Sequence, residues 1–281
     1  MLESLSKNSA YQLLVKVLLF LLLVGLPLTS FPVFNRLTGA IVAPFSVIPL
    51  ILLLLIWLVP FIVSKGKFPA EVTPIFYFVL VALIISAAAF FLDGFFTRGQ
   101  NFFDRGVRAF VSLGIGLSFY LLFAAFGQSS SKIRLILLFI YTGGALLILW
   151  TGLEVTLLRI YGSALALPAW FSNIRAALAV QAPSVFVINR ATGFAYEPSW
   201  FVRQFNLVLF PIWLSAVYQR KSILKFRLWK IQIEDFLFLG GLIIFGFSSP
   251  RVGLLAFIAS LAYLVLLIMR SLHQKITHWY V

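Results

Sequence analysis

Between residues 189 and 206 the chain reads NRATGFAYEPSWFVRQFN, with two arginines, a glutamate, a glycine and a proline inside a sequence that is 62% hydrophobic. Arginine carries a planar fork that grips phosphate through two hydrogen bonds and keeps its charge in a partly dry site. A carboxylate nearby takes a proton from a hydroxyl if its surroundings raise its pKa. Arg190 and Arg203 are therefore candidates to hold a phosphate-bearing ligand, with Glu197 the carboxylate between them in the sequence. Ser199, Arg203 and Asn206 recur at spacings of four and three, which places them on one helix face. Gly193 permits a tight bend that brings backbone close to a ligand. Plainer readings stand beside these. Pro198 suits a first helical turn, so Glu197 caps it; Arg203 snorkels to an interface; Asn206 bonds between helices; Arg190 is a solvated loop charge.

Two other places repeat the theme. NFFDRGVRAFVSLGIG sets Arg105, Arg108 and Ser112 on one face, with Asp104 beside them as a competing partner. FSSPRVG sets Ser248, Ser249 and Arg251 at a helix start, where free N–H groups also attract anions. An anion is held from three sides where these helix ends converge.

The elements that must position these residues are membrane spans. The mean hydropathy is +1.06 and only 11% of residues are charged, too apolar a composition for a wetted surface around a soluble core. Apolar runs near the roughly 20 residues that a helix needs to cross hydrocarbon appear at 12–30, 41–63, 73–92, 107–126, 134–152, 199–218, 235–247 and 252–269. They are continuous rather than alternating, so helices are preferred over a barrel. The expected fold is all-α: a polytopic bundle of about eight spans, a single membrane domain over residues 1–281, with one long outer loop at 153–198. The first run resembles a signal sequence, but PLTSFP offers no small-x-small cleavage pattern, so it is read as a retained helix.

The net charge of +14 belongs to the turns between spans and not to a basic face on a soluble domain, so no nucleic acid is expected as a partner. With the N-terminus inside, 13 of the 22 basic residues fall on the cytoplasmic side, and the C-terminus is also inside. The other nine, Arg36, Arg98, Arg105, Arg108, Arg159, Arg175, Arg190, Arg203 and Arg251, are all arginine, while all nine lysines are inside. Lysine and arginine serve topology equally, so an arginine-only outer face points to a phosphate-bearing ligand. The long loop contains Glu154, Arg159 and Arg175 too close together for a span, and is expected to lie along the interface as short amphipathic helices.

Other chemistries lack their residues. There is no cysteine, and His273 and His278 lie at the inner C-terminal end, so neither a metal site nor an outer Ser-His-Asp triad is expected. No Walker A or GxGxxG loop occurs, and no cofactor is expected. Any chemistry runs on arginine, carboxylate and hydroxyl groups.

RATGFAYEPSWFVRQFNLVLFP resembles the signature of bacterial O-antigen polymerase-like membrane proteins, and FSSPRVGLLAFIASL looks like the serine-arginine turn and following span of that family. The resemblance covers roughly residues 185–265. It implies a GT-C-like membrane glycosyltransferase in the bacterial inner membrane. That enzyme joins oligosaccharides carried on polyprenyl pyrophosphate at the outer membrane face, among membrane lipid and other polysaccharide-assembly membrane proteins. O-antigen ligases share the architecture, and a non-catalytic transporter or flippase of lipid-linked saccharide would use the same arginines. On this reading Arg190, Arg203 and Glu197 are catalytic, and Arg251, Arg108, Arg105, Ser199, Asn206 and Gly193 bind substrate. Family members continue past the serine-arginine turn into further helices and a second outer loop. This sequence ends at Val281, so the resemblance implies a shortened member or a site completed by a partner.

Overall fold

The computed structural model describes residues 8–38, 43–65, 72–93, 96–97, 100–183, 190–224, 227–228, 231–248 and 251–277. Its helices are α1 (Ser9–Val24), α2 (Pro32–Thr38), α3 (Val47–Leu53, continued through Leu54–Leu58 and Val59–Lys65), α4 (Thr73–Asp93) and α5 (Phe102–Phe126). They continue with α6 (Ser130–Tyr161), α7 (Ala169–Leu178), α8 (Pro198–Gln204, continued through Phe205–Leu209 and Phe210–Gln219), α9 (Ile233–Ser248) and α10 (Arg251–Thr277). Two hairpins of two-residue strands interrupt them, Phe96–Thr97 with Gln100–Asn101 and Arg227–Leu228 with Ile231–Gln232. The chain is an all-α membrane protein apart from these short pairings.

Among the described residues, α3, α4, α5, α6 and α8 are long and apolar enough to cross a membrane. The sequence led us to expect eight such spans. Each of the eight runs contains a helix among its described residues, but α1 and α9 have 16 residues each, about 24 Å of helix against roughly 30 Å of hydrocarbon. The apolar described part of α10 is shorter still, Gly253–Tyr263.

The chain divides into two compact units, Met1–Leu23 with Ser46–Leu137, and Val24–Phe45 with Leu138–Val281. In the first, Leu50, Leu53 and Leu58 of α3 and Leu122 of α5 are buried, and Trp57 stacks on Phe61 at 5.2 Å and meets Phe126 edge-on at 5.3 Å. The middle of α3 widens into a π turn, Leu54–Leu58, two residues before Pro60. Proline has no N–H and its ring crowds the carbonyl four residues back, so a locally wider turn relieves the clash. That carbonyl, on Ile56, accepts instead from the Tyr11 hydroxyl at 3.0 Å.

The second unit packs α6, α8 and α9 around Trp213, which is fully buried. A Cβ on Gly144 of α6 would lie 2.6 Å from the indole, and one on Gly241 of α9 would lie 2.9 Å from it, so each glycine is a seat for the ring. Close approach through small residues is the usual basis of helix association where lipid removes the hydrophobic drive. Phe205 and Phe210 complete the cluster, with centroids 6.0 and 6.3 Å from that of Trp213. Helix α8 carries its own π turn, Phe205–Leu209, again two residues before a proline, Pro211.

Candidate functional site

Helix α6 runs past the span end expected at residue 152, as far as Tyr161, so the first residues of the expected loop are its last turns. Glu154 lies on that extension with no exposed surface. A buried carboxylate needs partners: the backbone N–H groups of Thr192 and Gly193 donate to Oε2 at 3.2 and 2.8 Å, and Arg175 of α7 lies 3.5 Å from Oε1. Burial pushes the Arg175 guanidinium below its ordinary pKa, and the Glu154 carboxylate opposes that shift. One turn earlier on the same face, Trp150 is sandwiched between Phe171 of α7 at 4.7 Å and Phe194 at 5.2 Å, both nearly parallel to it. Helix α6 thus holds α7 and the 191–197 segment by one apolar and one charged contact.

Gly193 makes the docking possible. Its φ is +59°, and a Cβ there would lie 2.7 Å from Thr151 Oγ1 and 2.9 Å from Leu147 Cδ1. The bend expected from the sequence is present, but what approaches its backbone is helix α6. Further bonds fix the segment: Gln181 Nε2 donates to Thr192 Oγ1 at 2.6 Å, Ser248 Oγ to the Ala191 carbonyl at 3.0 Å, and Tyr196 N–H to Thr29 Oγ1 at 3.1 Å.

Cavities flank this docked segment. At 100° per residue, Leu147, Thr151 and Glu154 form the line on α6 where the segment sits. On one side of that line a cavity of about 390 Å³ is lined by Gly143, Leu146, Trp150, Leu153, Leu178 and Phe194, with Pro27 and Leu28, and is almost wholly apolar. On the other side a polar cavity of about 320 Å³ is lined by Val155, Leu158, Arg159, Gly162, Ala191 and Phe247. The Arg159 guanidinium lies over the Phe247 ring, 5.2 Å from its centroid, a cation–π contact at the cavity wall. Half-buried Arg190 directly precedes Ala191 in the cavity wall, and Ser248, bonded to that wall, ends the helix before α10 begins at Arg251.

No family model, curated protein or solved structure matches the chain. The site is defined by its own residues.

Those marked in the sequence fall in several places. Glu197 occupies the N-cap position of α8 with Pro198 in the first turn, yet its side chain makes no cap bond. It accepts instead from the Ser199 hydroxyl at 3.1 Å, and it is half-buried. Arg203 is exposed. Asn206, one turn on, donates to the Gly253 carbonyl of α10 at 2.9 Å, so the face shared by Ser199, Arg203 and Asn206 abuts the start of α10, two residues from Arg251. Arg108 is exposed on α5 and belongs, with Arg105, to the other compact unit. The side chains of Arg105 and Arg251 lie outside the described residues. Among the described residues no group of three or more His, Cys, Asp or Glu is placed to hold a metal.

Three functional candidates escaped the sequence reading. Arg159 and Arg175 are two outer arginines among nine, and with Glu154 they read as charges too close together for a span. The available signal was the spacing of Leu147, Trp150, Thr151, Glu154 and Leu157, which continues a helical stripe through residue 157 before Gly162 stops it.

Proposed function

We propose that the chain is a membrane glycosyltransferase of the O-antigen polymerase type, joining saccharide units carried on polyprenyl pyrophosphate at the outer membrane face. The observation that carries this reading is the polar cavity at the Tyr161 end of α6, where the Arg159 fork lines the wall and Arg190 directly precedes Ala191 in it. Departure of a pyrophosphate from a sugar carbon builds negative charge on oxygen. Arginine forks already in place stabilise that charge without reorganising, and more strongly where water is scarce. Arg159 and Arg190 are assigned that role, with Arg203 and Arg251 from the α8 and α10 ends. Glu197, free of the capping bond, is the base that takes the acceptor's hydroxyl proton, and the Ser199 hydroxyl orients it.

The test is polymer length on cells carrying single substitutions. Arg190→Lys keeps a charge but removes the fork, and elongation is expected to fall to single capped units while protein in the membrane stays at its normal level. Arg159→Lys is expected to act in the same direction. Normal polymer in both variants overturns the reading. Full-length polymer retained on its lipid carrier assigns the chain to the ligase class, and saccharide trapped on the inner face assigns it to transport.

A further inference from the structure

We infer that Glu154 and Arg175 are positioning residues for the anion cavity, holding the segment that carries Arg190 so that its fork faces the phosphate. The inference rests on the reading of that cavity as a pyrophosphate site. Three peptide groups separate Arg190 from Gly193. The last two, those ending in the Thr192 and Gly193 nitrogens, both direct their N–H at Glu154 Oε2, a successive pair of the kind that cradles anions. The carbonyl between Ala191 and Thr192 is fixed from the opposite side by Ser248 Oγ at 3.0 Å. The backbone leading to Arg190 is therefore clamped between α6 and α9. Gly193 has no room to shift toward α6, because Thr151 and Leu147 already stand where its Cβ would be.

Glu154 is not itself a ligand group. It has no exposed surface, and the face of α6 on which it lies is covered by the docked segment. Its charge is matched by Arg175, which is 5% exposed and so withdrawn from the outer arginines available to substrate. A carboxylate is the side chain that serves this place best: one oxygen accepts two N–H groups while the other faces a guanidinium. Glutamine would accept the N–H groups but leave Arg175 buried without its counter-charge. Aspartate is one methylene too short to reach the segment from the same helix position.

The test is binding of inorganic pyrophosphate to the full-length, detergent-purified protein by titration calorimetry, with a melting curve recorded for each variant. Wild type is expected to bind saturably, and Arg159→Gln and Arg190→Gln to bind weakly. Glu154→Gln and Glu154→Asp are expected to bind at least about tenfold more weakly at a temperature where the melting curves show them folded, since misplacement by an ångström costs a site of this kind that much. The double variant Glu154→Gln with Arg175→Gln restores a neutral, hydrogen-bonded pair and is expected to regain most of the lost affinity. A merely structural pair would lower the melting temperature and leave the affinity of the folded protein unchanged; that result overturns the inference, as does a double variant no better than Glu154→Gln. Weakening in the Arg159 and Arg190 variants with none at Glu154 overturns this inference alone. A wild type that does not bind overturns it together with the reading it rests on.

Discussion

Gly193 shows at the scale of one residue how conformation and space combine. Its positive φ is strained for any side chain, and the contacts that a Cβ would make with Thr151 and Leu147 leave no room for one. Gly162, which ends α6 at φ +74°, is strained in the same way but has no atom within 4 Å of its Cβ position. Gly193→Ala is therefore expected to destabilise by about 2–5 kcal/mol, strain plus overpacking, and Gly162→Ala by only about 1 kcal/mol. Melting temperatures in detergent would show the order, and equal losses would mean that the fit of Gly193 against α6 contributes nothing. This glycine was legible in the sequence as a bend, because it shortly precedes a helix-starting Glu-Pro-Ser. What the bend serves was not legible. Its partners, Thr151 and Glu154, lie about forty residues earlier on a helix whose last turns carry charges that sequence reading takes as loop. Arg175 illustrates the same limit, since only a contact 21 positions away distinguishes a neutralised arginine from a ligand-binding one.

At the scale of elements, the helices were legible from apolar runs, and their internal defects were not. Both π turns sit two residues before a proline, at Leu54–Leu58 and Phe205–Leu209, so the cause was visible in the sequence while the form of the response was decided by neighbours. At Pro60 the neighbour is Tyr11, whose hydroxyl supplies the Ile56 carbonyl with a donor that proline lacks. A double-mutant cycle tests this substitution of one donor for another. Tyr11→Phe is expected to cost about 0.5–1.5 kcal/mol in the native background. In a Pro60→Ala background the new backbone N–H satisfies Ile56 and the same change is expected to cost close to nothing. Equal costs in the two backgrounds would separate Tyr11 from the proline. In α8 the comparable defect contains Asn206, whose bond to Gly253 places the Ser199, Arg203 and Asn206 face against α10. Spacing alone identified that shared face, and the bond across to α10 is what adds Arg251's neighbourhood to it.

At the scale of the whole molecule, the side of the membrane that the cavity faces decides whether the proposed chemistry has access to its substrate. Helix α6 has 32 residues, about 48 Å at 1.5 Å per residue, against a hydrocarbon thickness of about 30 Å. Even a tilted α6 leaves turns outside the hydrocarbon, and its charged residues lie toward its two ends, Lys132 and Arg134 in the first turns and Glu154 and Arg159 in the last. The proposed reaction requires the Tyr161 end and its cavity outside, the orientation that the positive-inside bias favours for the basic turn at the other end, with Lys132 and Arg134. The chain contains no cysteine, so single thiols report this directly. Ser131, in the first turn of α6, and Ala166, five residues past its last residue, are both exposed. In intact spheroplasts, Ala166→Cys is expected to react with a membrane-impermeant maleimide and Ser131→Cys to react only after the membrane is opened. The reverse pattern would turn Arg159 and Arg190 toward the cytoplasm, away from the outer face at which the proposed reaction joins its units, and would remove the polymerase reading whatever the affinity of the cavity for pyrophosphate.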